Sequence, residues 1–432
     1  MLQTATIVPA DTAWMLASTA LVLLMTPAVA FFYGGLVRAK NALNTMMMCL
    51  GSFGVVGVLW ALFGYTLAFG GTSPWVGGWQ HVLLRDVGLE AHGTIPHVLF
   101  MAYQGTFAVV TAVLIAGAVV ERMRFSAYLA FIAAWSLVVY APVAHWVWGG
   151  GWLAQLGVLD YAGGTVVHVN AGVAAPLAAM LVGGRKDYGR QAMLPHNVPF
   201  VLLGTSLLYF GWFGFNAGSA LAANASAALA FTNTLLAPMA ALAVWMALDA
   251  MRTGHATAVG AATAIVVGLV VVTPAAGFVS PLSALVMGAL GAVPSYFAIV
   301  WRARTRLDDS LDVLAGHGIG GITGALLTGV FASAAWGGTD GLLHGRPAQL
   351  GLQAIGVAAT IAYSGMGTFV LLTLINRVLP LRAATRVEGL GMDITQHGEE
   401  AYSEGEGAVL VFRESAPPLG AAHPTMPTAG VA

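Results

Sequence analysis

Charge is what this 432-residue chain has least of: Asp, Glu, Lys and Arg together make up 8% of it, against roughly 25% in a soluble domain. So small a supply cannot cover a water-facing surface. The formal net charge is −1 and no basic run with interleaved aromatics occurs, so nucleic acid is excluded as a partner. Cysteine is represented by Cys49 alone, which leaves no intrachain disulfide. No CxxC, HExxH or P-loop is present, and neither metal nor cofactor is expected. The first residues also lack a positive n-region and a clear cleavage site, so the N-terminus reads as mature.

What the chain has instead is apolar length, with 58% of its residues hydrophobic. A hydrocarbon core of about 30 Å takes about 20 apolar residues per helix. Eleven stretches meet that measure, near 11–33, 43–69, 97–120, 126–148, 161–183, 197–216, 227–250, 257–274, 277–301, 311–335 and 349–379. The two flanking Pro274 also read as one broken unit. The expected fold is all-α and polytopic, in the lipid bilayer of the cell membrane.

Lys and Arg orient it. Arg38 and Lys40 follow the first span, Arg122 and Arg124 the third, and Arg185, Lys186 and Arg190 the fifth. Arg252 follows the seventh, Arg302, Arg304 and Arg306 the ninth, and Arg377, Arg382, Arg386 and Arg413 the last. Only Arg85 and Arg346 fall in the alternate loops. The basic side is therefore expected to be cytoplasmic, with the N-terminus outside and the C-terminus inside. Residues 1–380 form the membrane domain, and the polar segment 381–432 is expected to be a cytosolic tail whose last portion is disordered.

Most of the eleven histidines fall in loops or at helix ends, but His168 and His317 fall near mid-membrane. His168 lies roughly 12 Å past Asp160, at about 1.5 Å per residue. Ionisable residues at that depth mark a functional site by default, although each could be a core histidine satisfied by a carbonyl. Internal symmetry favours function. Asp160 and Asp309 each precede their histidine by eight residues, and Gly172 and Gly321 each follow by four. Each histidine falls in the fifth helix of a five-helix set, and an odd set inserts its copy upside down. That is an inverted repeat, whose site lies at the repeat interface. Carboxylates stay at helix ends, which argues against a sodium site or an acidic proton relay. Asp160 suits a helix N-cap, with direct contact to a cation as the other reading.

FFYGGLVRAKNALNTM (31–46), LDYAGGTVVHVNAG (159–172), GWFGFNAGS (211–219), DDSLDVLAGHGIGGITGALLTGVF (308–331) and MDITQHGEEAY (392–402) resemble the ammonium transporter (Amt/Mep/Rh) family, bacterial Amt type. The resemblance covers nearly the whole chain to about residue 402. It implies a homotrimer with one narrow pore per subunit, conducting ammonia after ammonium is recruited and deprotonated. Trp148, Phe107, Ser219 and Tyr103 resemble the outer recruitment site, with Tyr103 standing where relatives often carry phenylalanine and adding a hydroxyl to the vestibule. Phe107 and Phe215 look like the stacked pair closing the pore, and His168, His317 and Trp212 like its lining. Asp160 matches the family's acidic residue. The tail motif implies a PII-type signal protein as a partner, and methylammonium is the expected substrate analogue.

Each aromatic also has a plainer reading, Trp148 as an interfacial belt residue and the phenylalanines as packing. Ser219 near a helix end also suits a backbone partner. The asparagine–proline–alanine pair of aquaporins is missing, because Asn lies near Pro only in HNVPF (196–200). An Rh-like gas channel and an ammonium sensor signalling through its tail remain as alternatives. An enzyme is the least expected class, since no nucleophile–base–orienter set is recognisable.

Overall fold

The computed structural model describes residues 6–402. Eleven helices in it are long and apolar enough to cross a membrane, among the described residues. They are α1 Pro9–Leu36, α2 Ala39–Phe69, α3 His97–Val119, α4 Phe125–Leu156, α5 Gly164–Val182, α6 Val198–Ala220, α7 Ala225–Thr253, α8 Ala258–Ala275, α9 Pro281–Arg302, α10 Leu314–Phe331 and α11 Ala348–Val378. The number matches the sequence reading, and the differences lie at the ends. α5 begins at Gly164 rather than 161, because the Asp160 carboxylate takes up the free amides of the first turn. α10 begins at Leu314, whose amide donates to Asp309 Oδ2 at 2.7 Å. It ends at Phe331, and Ala334–Gly337 forms a separate turn beyond it. α8 and α9 are distinct helices: a 3₁₀ turn through Pro274 closes the first, and Ser280 caps the second by accepting from the Ser283 amide.

α3 is the central helix, with 83% of its most apolar stretch buried, whereas α2 and α11 bury only 28% and 33% of theirs and present the remainder outward. α1 and α6, the first helices of the two repeats, pack along their length. Small residues on α6 permit the approach, with Gly204 against the Phe32 backbone and Gly214 against Ser18. The fifth helices of the repeats, α5 and α10, cross in the same manner. A side chain on Gly172 would come within 2.8 Å of the His317 carbonyl carbon, and one on Gly321 within 3.0 Å of His168 Cβ. Glycine at both crossings is what lets the two histidine-bearing turns meet.

The face rich in Lys and Arg (the basic face) is tied by a buried ion network. Glu121 pairs with Arg38 and with Arg185, both at 3.0 Å, and Arg185 pairs with Asp308 at 2.8 Å. Burial works against the Glu121 charge, but Arg185 and Arg38 outweigh it and hold its carboxyl below the usual value. The tail packs on the same face as two short helices, α12 Thr385–Leu390 and α13 Met392–His397. Asp393 accepts from the Leu43 and Asn44 amides near the start of α2, at 3.0 and 2.7 Å. The expected disorder after about residue 402 lies outside the described residues.

Candidate functional site

Three cavities follow one another through the bundle, the second and third sharing walls and the first set off from the second by a pair of stacked rings. The first, about 360 Å³, opens on the face opposite the basic one and is lined by Phe69, Phe100, Phe107, Trp148, Tyr161 and Ser219, among others. The ring of Trp148 stands edge-on to Phe107 at 5.7 Å. Its indole nitrogen donates to the Asp160 carbonyl at 2.9 Å, which fixes the ring across the cavity wall. Ser219 donates to the Phe215 carbonyl at 2.9 Å, so its lone pairs are left to accept from a ligand.

Beneath this cavity Phe107 and Phe215 stack, 4.2 Å between centroids and 24° between planes. Both rings are essentially inaccessible to solvent, so the stack interrupts the passage. Beyond it lies a closed chamber of about 20 Å³, lined by Phe215, His168, Trp212, His317, Phe32 and Tyr33 with further aliphatic side chains. A space of that size holds about one water-sized molecule.

His168 and His317 approach through their Nδ1 atoms, 3.3 Å apart, with rings 5.3 Å apart and nearly parallel. One Nδ1 must donate and the other accept, so the two rings hold opposite tautomers. One ring then presents a bare Nε2 and the other an Nε2–H. His168 Nε2 is buried and has no protein partner. Trp212 stacks on His168 at 5.5 Å and directs its own N–H away, to Thr273 Oγ1 at 2.9 Å. The lining is thus apolar apart from the imidazoles. The third cavity, about 510 Å³, opens on the basic face and shares Phe32, Tyr33, Val266 and His317 with the chamber. Arg185, Tyr188, Arg302 and Asp312 make its mouth polar.

Both histidines sit in π-helical turns, Gly164–Val169 and Leu314–Ile319, at corresponding places in the two repeats. Such turns widen the helix by one residue and recur at functional sites. Asp160 secures the first of them. Its oxygens accept from the amides of Gly163, Gly164, Thr165 and Val166 and from the Thr165 hydroxyl.

The structure brings Trp148, Phe107 and Ser219 together on one cavity and Phe215, His168, Trp212 and His317 on the next. It does not place Tyr103 in the vestibule. That ring is fully buried behind Phe107, and its hydroxyl bonds the Gly214 and Phe215 carbonyls at 2.9 and 3.0 Å, with Ser219 Oγ at 3.3 Å. The added oxygen therefore ties down the end of α6 instead of making the vestibule more polar. Asp160 likewise lies behind Trp148 and outside the cavity lining. Missed by the sequence reading were the π turns, the Phe32 and Tyr33 walls, and His92, Phe100 and Gln104 of the first cavity. Phe32 and Tyr33 stand in the FFYGG block, the one signal that pointed toward them.

Eleven crossing helices, an inverted repeat and an interrupted transverse passage define a multi-pass membrane protein of the channel and transporter class. The comparisons narrow that class. The profile described as Ammonium Transporter Family matches residues 13–402. An ammonium transporter of Bacillus subtilis is 44% identical over 400 residues, covering 91% of this chain and 98% of its own. One of Aquifex aeolicus is 47% identical over 398 residues, covering 91% and 93%. The crystal structure of Saccharomyces cerevisiae Mep2 superposes with a TM-score of 0.83 at 34% identity, over 88% of each chain. A structure described as a sensor Amt protein gives 0.85 at 29% identity, over 90% and 98%. The chain belongs to the ammonium transporter family.

Proposed function

We propose that this protein carries ammonium nitrogen across the cell membrane, binding ammonium at the Trp148 cavity and passing ammonia through the histidine chamber. The basic face is cytoplasmic on this reading, so the Trp148 cavity faces outward. The chamber carries the reading: a closed space of about 20 Å³ between two open cavities, apolar but for His168 and His317. It fits one small amine and offers a charge no counter-ion.

The energetics favour the neutral form. Aromatic faces such as Trp148 and Phe107 attract a cation by about 0.5–2 kcal/mol. Carrying that charge through the chamber would cost tens of kcal/mol if uncompensated. Losing a proton at pH 7 costs only about 3–4 kcal/mol, for a pKa some two to three units above neutrality at 1.36 kcal/mol per unit. In that step an N–H bond breaks, nitrogen keeps the electron pair, and the proton goes to water in the outer cavity or into the imidazole pair. The opposite tautomers of the pair supply ammonia with one acceptor and one donor. Asp160 acts here through structure, since its oxygens are engaged by the α5 amides.

The test is uptake of methylammonium together with the ammonium-evoked current, measured in liposomes for wild type and His168→Ala. Loss or uncoupling of either supports the reading; unchanged values of both remove the histidines from the mechanism. Family membership also supports a homotrimer and a PII-type regulator at the tail, which light scattering and a pull-down on the full chain would test. Transport is preferred to sensing because the relatives at 44% and 47% identity are named transporters, whereas the sensor structure stands at 29%.

A further inference from the structure

Three imidazoles that the transport reading does not use lie together beside the Trp148 cavity, and His92 is the one that lines it. His92 ends the strand Ala91–His92 and forms part of the cavity wall. Its ring stacks on Phe100 at 4.1 Å and on His97 at 5.0 Å. His81 stands 5.1 Å from His97. We propose that His92 is a proton-controlled part of the ammonium recruitment site: neutral, it extends the aromatic wall; protonated, it sets a fixed cation beside the bound one and weakens binding. The inference rests on the recruitment reading above.

The neighbours leave His92 as the ring free to take up a proton into the cavity. His97 Nε2 is engaged by the Tyr65 hydroxyl at 2.5 Å and its Nδ1 by Glu90 at 3.1 Å. His81 meets the Arg85 carbonyl at 3.1 Å and the Gln80 amide at 2.9 Å. Among the described residues no protein group hydrogen-bonds the His92 ring. Glu90, the nearby carboxylate, is bonded to His97 and to the Gly88 amide. From the far wall, Tyr161 bonds Ser226, and Asp160 is engaged by α5. No carboxylate is therefore paired with His92 to neutralise an imidazolium. Burial, then His97 and His81, hold its pKa below the usual histidine value. The neutral form is the resting one at pH 7, and charging begins only as the medium turns acidic.

The experiment measures methylammonium uptake into liposomes with internal pH held at 7.5 and external pH set at 7.5, 6.5 and 5.5. For wild type the apparent KM is expected to rise roughly three- to tenfold between pH 7.5 and 5.5, a screened cation–cation repulsion. His92→Gln should hold its own pH 7.5 value through that range. His92→Lys, permanently charged, should already show the raised KM at pH 7.5. A wild-type KM flat with pH, a His92→Gln variant that keeps the full rise, or a His92→Lys variant with wild-type KM overturns the inference. Trp148→Leu at pH 7.5 separates the two readings: if its KM is raised while the His92 variants do nothing, only the His92 inference falls. An unchanged Trp148→Leu KM removes the recruitment site itself, and the inference with it.

Discussion

Replacing Asp160 distinguishes a helix cap from a cation ligand, and the structure gives the size of the effect. The carboxylate receives four backbone amides and one hydroxyl, with distances from 2.5 to 3.2 Å. In Asp160→Ala those amides lose their acceptor at a site only 6% exposed. An unpaired buried amide costs about 1–3 kcal/mol, so even with only two of the four left unpaired the variant loses about 2–6 kcal/mol. Asp160→Asn keeps one acceptor oxygen and should lose about half as much. Thermal melting of the detergent-solubilised protein, paired with methylammonium uptake, tests the ranking. Stability and flux should fall together, Ala further than Asn, because the Asp160 turn carries Trp148 on one side and His168 on the other. An Asp160→Ala protein that melts with wild type but shows a raised KM would refute the capping argument and make the carboxylate a ligand.

Other perturbations follow from the same geometry. Gly172→Ala puts a methyl group against the His317 backbone and should cost about 1–3 kcal/mol by overpacking, with uptake reduced through separation of the two imidazoles. Arg185→Gln strands the fully buried Asp308 and leaves Glu121 with Arg38 as its one ion-pair partner, and should lower stability by about 3–5 kcal/mol in the same melting assay. Burial, with Asp312 adding to it, pushes the Asp309 carboxyl up to about 6. A raised folded value means the native state binds the proton more tightly, so this stabilisation is complete below about pH 4 and is lost as pH rises through 6. Asp309→Asn should therefore gain stability on wild type as pH climbs from 5 to 7.5, and a difference constant with pH would contradict it.

How much of this could be read from the letters varied with the kind of information. Hydropathy gave the eleven crossings because a bilayer imposes one length on every helix. Spacing gave the histidine pair: Asp160–His168–Gly172 repeats as Asp309–His317–Gly321, and the structure places each glycine against the opposite histidine turn. The π turns were not legible, since one extra residue per turn leaves no mark in a run as largely apolar as 164–182. Tyr103 was placed in the vestibule on resemblance, which carries a position over without the direction of its hydroxyl. In the structure Phe107 lines the cavity while Tyr103, buried behind it, spends its hydroxyl on the Gly214 and Phe215 carbonyls. His92 could not be reached at all, because its place on the cavity wall depends on a short hairpin folding back over the start of α3.

The two repeats supply the same scaffold but different chemistry at their ends. Asp160 has both oxygens engaged, whereas Asp309 bonds the Leu314 amide through one oxygen and leaves the other, buried, without a partner. One mouth is aromatic, built from Trp148, Phe107 and Phe100; the other is polar, built from Arg185, Tyr188, Arg302 and Asp312. This asymmetry cannot fix the direction of net movement, because a passage that only binds and releases shifts no equilibrium between two compartments. What it sets is occupancy. On the proposed reading, the aromatic mouth holds a cation at the stack, where losing a proton is the cheapest way onward, and ammonia passing His317 enters a polar, charged cavity where water can return the proton. A chamber closed by stacked rings on one side and bordered past His317 by a polar cavity on the other would thus confine the uncharged species to the one stretch where charge is most costly.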